Sequence, residues 1–186
     1  SDNTAVGCNA LFATTTGISN IGVGNSALYS NTTGTKNVAV GKNALRDATT
    51  ATQNIAIGNN ALENVTSDKN IAIGHNSLAS ATTGEHNTGV GDGVLANSAT
   101  SKNCAFGYHA LVNQTTGSYN NAFGHNCMDA IVTGPYNNAF GQNALGALTG
   151  GTKNAAFGQD CLANLTTGDY NNAFGNSALA NNNGNN

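Results

Sequence analysis

The amino-acid sequence predicts an all-β protein, a parallel β-solenoid of eleven coils with 16–17 residues in each coil. Three observations predict this fold class. One short motif recurs at nearly constant spacing, some positions of the motif hardly vary, and each copy ends in residues typical of turns. The copies occupy the sequence from end to end, so residues 1–186 are predicted to form a single repeat domain.

The repeat is centred on a glycine that follows Asn, one variable residue, Ala or Gly, and then Val, Ile or Phe, as in "NVAVG" (37–41). Positions are numbered here from that glycine as zero, so the Asn stands at −4. Successive glycines are 17 residues apart eight times and 16 residues apart twice. The eleven coils are centred on Gly7, Gly24, Gly41, Gly58, Gly74, Gly91, Gly107, Gly124, Gly141, Gly158 and Gly175.

The alternation in "N-x-A-V-G" predicts a short strand, and the following "A-L-x-x" is interpreted as a second short strand. The "TTG" or a near relative that ends most copies predicts a corner, because glycine readily adopts positive φ. Coils of two strands and two corners would stack in parallel at ~4.8 Å, and eleven of them make a rod of about 50 Å.

Stacking places identical residues above one another in columns. Leu at +4 and Val, Ile or Phe at −1 are expected to form a thin apolar interior, and Ala or Gly at −2 is expected to let another sheet or chain approach closely. Asn at −4 is expected to hydrogen-bond along its column, and the central glycine to occupy a bend or a close backbone approach. Representative structural residues are Asn37, Asn54, Asn137, Gly41, Gly58, Gly141, Leu45, Leu62, Leu145, Phe106, Phe123, Phe140, Phe157 and Phe174.

Two columns change together halfway along the chain. Position −1 is Val or Ile as far as Val90 and Phe from Phe106 onward, while −3 changes from mostly Ile and Val to Cys, Asn and Ala. Positions −1 and −3 share one face of a strand. The change therefore predicts a different packing partner or a different cross-section in the two halves.

Composition argues against several function classes. Charged residues make up 8% of the chain, with six Lys plus Arg and a net charge of −3, which leaves no basic footprint for nucleic acid. No stretch approaches the ~20 apolar residues of a membrane span, so membrane insertion is not expected. Acids such as Asp47, Glu63, Asp92 and Asp129 are scattered over several columns of a rod without an obvious pocket. No catalytic residue, cofactor or metal ion is therefore predicted.

Weaker candidate sites keep more than one interpretation. His75 and His125 share the +1 column but lie about 14 Å apart, too far to hold one metal ion within a chain, although a symmetric trimer could gather three copies of one His. Cys127 and Cys161 stand at +3, where small buried thiols are expected. Adjacent threonines such as Thr15-Thr16 would point in opposite directions in a strand, which favours turns over an ice-binding array.

Two exposed features are also predicted. The −5 column could contact glycans or a neighbouring chain, or could simply be an exposed strand entry; its Lys and Tyr residues are Lys36, Lys69, Lys102, Lys153, Tyr119, Tyr136 and Tyr170. Glycosylation sequons are expected in an exposed corner at Asn31, Asn64, Asn113 and Asn164.

The pattern "NTAVG-x-NAL", carried from Asn3 to Gly175, resembles repeats of tail-fibre-like proteins of phages and bacteria. Its "N-x-A-[VI]-G" core is similar to the head repeats of trimeric autotransporter adhesins. The resemblance implies a parallel β-roll of three chains. It also implies an extracellular, cell-surface or virion location, with a cell-surface receptor or glycan as a possible partner.

The expected function is a non-enzymatic structural rod in a homotrimer, the shaft of a tail fibre or adhesin. A 17-residue coil has a thin core and would gain by sharing an apolar face with other copies. The alternative is a filament subunit that stacks head to tail, because the first and last repeats match the consensus and expose strand edges. An ice-binding or glycan-binding solenoid is a less favoured third hypothesis.

Overall fold

The computed structural model describes residues 2–80, 82–131 and 133–182, and these residues form the predicted parallel β-solenoid. Within them, eleven three-residue strands make one parallel sheet in chain order. The strands are β1 (Thr4–Val6), β2 (Ile21–Val23), β3 (Val38–Val40), β4 (Ile55–Ile57), β5 (Ile71–Ile73), β6 (Thr88–Val90), β7 (Cys104–Phe106), β8 (Asn121–Phe123), β9 (Asn138–Phe140), β10 (Ala155–Phe157) and β11 (Asn172–Phe174).

The register of the sheet follows the repeat. Each residue pairs with the residue at the same repeat position of the next coil, and the two 16-residue coils keep this register, with Ile55 opposite Ile71 and Thr88 opposite Cys104. The missing residue is therefore absorbed outside the strands.

Each strand ends at the central glycine because no other residue fits there. All eleven central glycines have φ between 122° and 147°, a region that L side chains rarely adopt. A Cβ on Gly141 would lie 2.4 Å from the carbonyl oxygen of Gly158 in the next coil. The close backbone approach expected at this column is confirmed.

The predicted second strand is wrong, because the residues after each glycine form turns. In the third coil Asn43 and Leu45 have φ of 57° and 52°, which is uncommon for residues other than glycine. This geometry aligns their N–H groups with the rod. Asn43 donates back to the Asn25 carbonyl at 2.9 Å, and Leu45 donates forward to the Ala61 carbonyl at 3.0 Å. Hydrogen bonding between coils therefore continues through the turns.

The interior is narrow. Ala at −2 and Leu at +4 pack there together with the side chains at +3 and +7, as the fully buried Ala139, Leu145 and Leu148 illustrate. At −2 there is little room for more than a methyl group, since even a Cβ on Gly89 would lie 2.8 Å from a methyl carbon of Leu78. The −2 column therefore lines the chain's own core and is not a surface for another chain.

The −1 column points outward, so its predicted place in the interior is wrong. Alternation identifies residues that share a face but not which face is inside, and the small −2 residue is the one that fits against Leu. Val6 is 57% exposed and Phe140 37% exposed. The correction applies to all five phenylalanines of the column: Phe106, Phe123, Phe140, Phe157 and Phe174.

The Asn column at −4 is buried and hydrogen-bonded as expected, and it also holds the corners. Asn137 Oδ1 accepts the backbone N–H of Asn154 at 3.0 Å, and its Nδ2 donates to the Gly151 carbonyl at 2.8 Å. Asn37 makes the equivalent bonds to Asn54 and to the Ala51 carbonyl. Each Asn thus links a strand start to the neighbouring coil and its corner.

Candidate interaction surface

The outward −3 and −1 columns of the sheet form a narrow strip along the rod, called here the outer sheet face. All eleven strands contribute to it, and neither column contains a charged residue. Most of its side chains are half-buried, and some are exposed, such as Ile57 and Ile73. The strip is therefore largely apolar and open to contact along its length.

The C-terminal half of this face carries a continuous stack of phenylalanines. Ring centroids are 4.8 Å apart for Phe106 and Phe123 and 4.6 Å for Phe123 and Phe140, with interplanar angles of 10° and 4°. The stack continues through Phe157 to Phe174 at 4.9 and 4.5 Å. Because the ring faces cover one another, the ring edges are what this surface presents to a partner.

The −3 column beside the phenylalanines is small and partly polar. Asn121 Nδ2 donates to Asn138 Oδ1 at 2.7 Å, which extends hydrogen bonding between coils on the outside of the rod. In the N-terminal half the same column holds β-branched residues such as Val38 and Ile55. The two halves therefore share a backbone and differ in the shape of this face.

The −5 column forms an exposed flank of tyrosines and lysines beside the strands. Tyr119 and Tyr136 stack with centroids 5.1 Å apart. The Lys102 ammonium donates to the Tyr119 hydroxyl at 2.8 Å, and Lys153 donates to the Tyr170 hydroxyl at 2.9 Å. These hydrogen bonds raise the pKa of both lysines. Glycan contact at this flank stays a prediction, and its aromatic and cationic groups already bind one another.

The histidines lie in small pairs along the rod. His75 Nδ1 is 3.1 Å from Asp92 Oδ1, and Tyr108 stacks on His109 and His125 with centroids 3.9 and 5.1 Å away. His86 Nδ1 lies 3.8 Å from Glu85. Across the described ranges, no three His, Cys, Asp or Glu side chains are grouped to hold a metal ion.

The acids named above are dispersed over the structure. Arg46 bonds to Asp47 and pairs with Glu63, and its hydrogen bond lowers the pKa of Asp47. Burial raises the pKa of Asp129. No pocket forms among the residues that the structure describes.

The cysteines at +3 are buried, as predicted. Cys127 and Cys161 are free thiols whose Sγ atoms donate to the carbonyls of Ala139 and Ala173 at 3.4 and 3.3 Å. Burial raises the pKa of Cys127 to about 12. Such a thiol is a small core group and a poor nucleophile at neutral pH.

The adjacent threonines, such as Thr15 and Thr16, lie in the corners and outside the strands, as predicted. Thr15 Oγ1 donates to the Thr32 carbonyl in the next coil at 3.0 Å, and Thr149 bonds in the same way to Thr166. These hydroxyls therefore join neighbouring corners.

The expected exposure of the sequons is wrong for one of the four. Asn31 stands at +7, a column that points inward, and its buried Nδ2 donates to the Gly34 carbonyl. The other three stand at +6; Asn113 and Asn164 are exposed and Asn64 is half-buried.

No protein-family model, curated protein or solved structure matches this chain. The residues that the structure describes also include no helix long and apolar enough to cross a bilayer. The class of the protein follows from its own geometry. It is a β-solenoid repeat protein with one parallel sheet.

Proposed function

We propose that this chain is a non-enzymatic structural rod, a shaft segment of an extracellular or virion-borne fibre whose copies associate side by side. The outer sheet face is the observation that carries the proposal. It is an uncharged strip along eleven strands, and contiguous apolar surface of this kind is typical of sites where proteins bind one another. Three copies is the number that the resemblance to adhesin heads implies.

The pattern of bonds between coils supports a load-bearing rod. Strand pairing, the Asn column and the turn hydrogen bonds each connect one coil to the next. Stability in such a repeat protein accumulates by stacking neighbours, and the length of the rod is set by the number of coils. Ten steps of ~4.8 Å give a rod of about 50 Å.

A second candidate, the end-to-end filament subunit, is favoured by the two terminal coils. Ala5 and Leu179 are exposed, whereas their counterparts within the rod, such as Ala139 and Leu145, are fully buried. A second copy stacked on either end would continue the sheet and bury these residues. Side-by-side and end-to-end association are compatible, because they use different surfaces.

Negative-stain electron microscopy of the purified chain, with light-scattering mass on the same sample, tests both proposals. Discrete rods about 50 Å long, with a mass that is a multiple of 18.6 kDa, would support the shaft. Long filaments with an axial repeat near 50 Å would support end-to-end stacking. Single chains without rod shape would contradict both.

The proposed location has a separate test. Gold-labelled antibodies against the purified rod should decorate fibres on intact cells or particles of the source. Labelling confined to cell interiors would contradict an extracellular or virion fibre.

A further inference from the structure

On the outer sheet face, side-chain size changes in both columns between β6 and β7. The −1 side chain becomes larger and the −3 side chain becomes smaller. In β1–β6, both −3 and −1 are β-branched, whereas in β7–β11 a phenylalanine at −1 always accompanies a small residue at −3. The small residues are Cys104, Asn121, Asn138, Ala155 and Asn172. A large group in one column thus comes with a small group in the other, and two medium groups occur together.

Packing within one chain does not account for this exchange. The −3 side chain is half-buried beside Val in β3 and equally half-buried beside Phe in β8 and β10. The phenylalanines stack along the rod on one another, as for Phe123 and Phe140, and do not cover the −3 column. The C-terminal half therefore presents a Phe ridge beside a row of small side chains, and the N-terminal half presents two even rows.

We propose that two copies of this chain pack their outer sheet faces together around a two-fold axis parallel to the rod. The inference rests on the proposed structural role and specifies its side-by-side contact as a pair, in place of the three copies that the resemblance implies. Rotation about such an axis keeps every coil at its own level and places −1 of each copy opposite −3 of the other. Phe140 then faces the partner's Asn138, while β-branched residues face β-branched residues. The gap between the sheets is filled evenly along the whole rod.

Other symmetries lose this fit. A two-fold axis perpendicular to the rod and parallel to the strands sets −1 against −1 and one half against the other, so Phe faces Val while Asn faces Ile or Val. Three copies around an axis parallel to the rod also keep each coil at its own level and set −1 of one chain beside −3 of the next. The three strips then face the axis and meet only along their edges, so no strip is covered by a single partner strip.

The area and charge of the face suit a pair. Ten steps of ~4.8 Å and a three-residue strand about 10 Å long give about 500 Å² for each copy. The total of about 1,000 Å² is near the minimum for a specific interface, so pairing is expected to depend on protein concentration. Neither column contains a charged residue, so pairing desolvates no ionised side chain of the strip.

Complementary size variants at one coil test the proposal. Asn138→Phe gives two large residues in β9 and Phe140→Asn gives two small ones, and self-association of each should weaken by at least about tenfold through overpacking or lost contact. In an equimolar mixture of the two variants, a dimer with one copy of each again sets a Phe of one chain opposite an Asn of the other. The mixture should therefore dimerise about as strongly as the natural chain, and so should the double variant that carries both changes.

Sedimentation velocity over a concentration series provides the masses, and circular dichroism checks that each variant is folded. Tyr136→Asn removes an exposed aromatic beside the strip and serves as the matched control, with no expected effect on pairing. Should either β9 variant fail to fold, Asn121→Phe and Phe123→Asn make the same test in β8.

The natural chain is expected to form a dimer of 18.6 kDa chains. The equimolar mixture of the two variants is expected to dimerise about as strongly as the natural chain. A trimer, or a mixture no stronger than its components, would overturn the two-fold pairing and leave the rod proposal standing. A monomer at all concentrations would overturn the pairing and side-by-side association. Rods or filaments in the electron microscope would then decide the structural role separately.

Discussion

The six N-terminal strands and the five C-terminal strands build the same coil and present different surfaces. Inside, Ala56 and Leu62 of the first group are as completely buried as Ala139 and Leu145 of the second. Outside, Ile57 is replaced by Phe140 at the same position. The comparison teaches that the inward columns determine the fold, whereas the outward columns are free to specify a contact.

Replacing a central glycine by alanine should lower the stability of the fold more than any other change proposed here. The loss should be equal in the two halves. Gly58→Ala and Gly141→Ala each force a Cβ to within 2.4 Å of a carbonyl oxygen in the next coil at φ of 140°. We expect each to lower the free energy of unfolding by at least about 3 kcal/mol, measured by chemical denaturation.

Gly150→Ala is the matched control for that pair. Gly150 lies in a corner where an added Cβ would meet only a threonine hydroxyl at 3.3 Å. A loss at Gly150 as large as at Gly141 would show that the central glycines have no special role.

Replacing an Asn of the −4 column by alanine should cause the next largest loss of stability. The loss should again be similar in the two halves. Asn54→Ala and Asn137→Ala each remove the side-chain partner of a corner carbonyl and of a buried backbone N–H. The expected loss is about 1–3 kcal/mol in thermal or chemical unfolding. Asn164→Ala, at an exposed position, should cost much less; an effect in only one half would mean that the inner columns are not equivalent.

Substitutions in the outward columns should affect association differently in the N-terminal and C-terminal halves. Phe140→Ala and Ile57→Ala remove partly exposed groups and should each lower the stability of an isolated chain by about 1–2 kcal/mol. Association should respond more to Phe140→Ala, by about tenfold in dissociation constant, because the larger side chain buries more area in each copy. Equal effects on association in sedimentation experiments would contradict a specialised C-terminal face.

A smaller effect at alkaline pH should also be confined to the C-terminal half. Burial raises the pKa of Cys127 from its ordinary value near 9 to about 12. The folded thiol then keeps its proton where the unfolded thiol has lost it, so its contribution is complete below pH 9 and is lost as the pH rises toward 12. Cys127→Ala, which restores the commonest residue at +3, should reduce the stability lost between pH 7 and pH 10 by about 1 kcal/mol.

Denaturation of both proteins at the two pH values measures this difference. Cys161→Ala tests a second thiol of the same column, whose pKa is also raised by burial, and should change the pH dependence in the same direction. Identical pH dependence with and without Cys127 would contradict the assignment of the effect to this thiol.

The repeat predicted the strands well because alternation and the central glycine are local features of the backbone. The register and the hydrogen-bonded Asn column followed from stacking identical residues. The turn after the glycine could not be predicted in the same way. Leu45 and its counterparts adopt positive φ, and nothing in the preferences of Leu indicates that conformation.

The direction of the −1 column was missed for a different reason. Hydrophobic size suggested that Val, Ile and Phe belong inside, but a coil already filled by Leu accepts only Ala or Gly across from it. The −2 column, which holds only Ala and Gly, was the available sign of a tight interior. The outer sheet face became recognisable as a candidate contact surface only when the −1 side chains were seen to point out.

Hydroxyl-radical footprinting at low and high protein concentration tests the central claim, that the outer sheet face is covered by another copy while the inner columns need none. The account predicts that Phe123, Phe140 and Phe157 become protected as the chains associate, while the flanking Tyr119 and Tyr136 change little. Labelling of these phenylalanines that does not depend on concentration would contradict it.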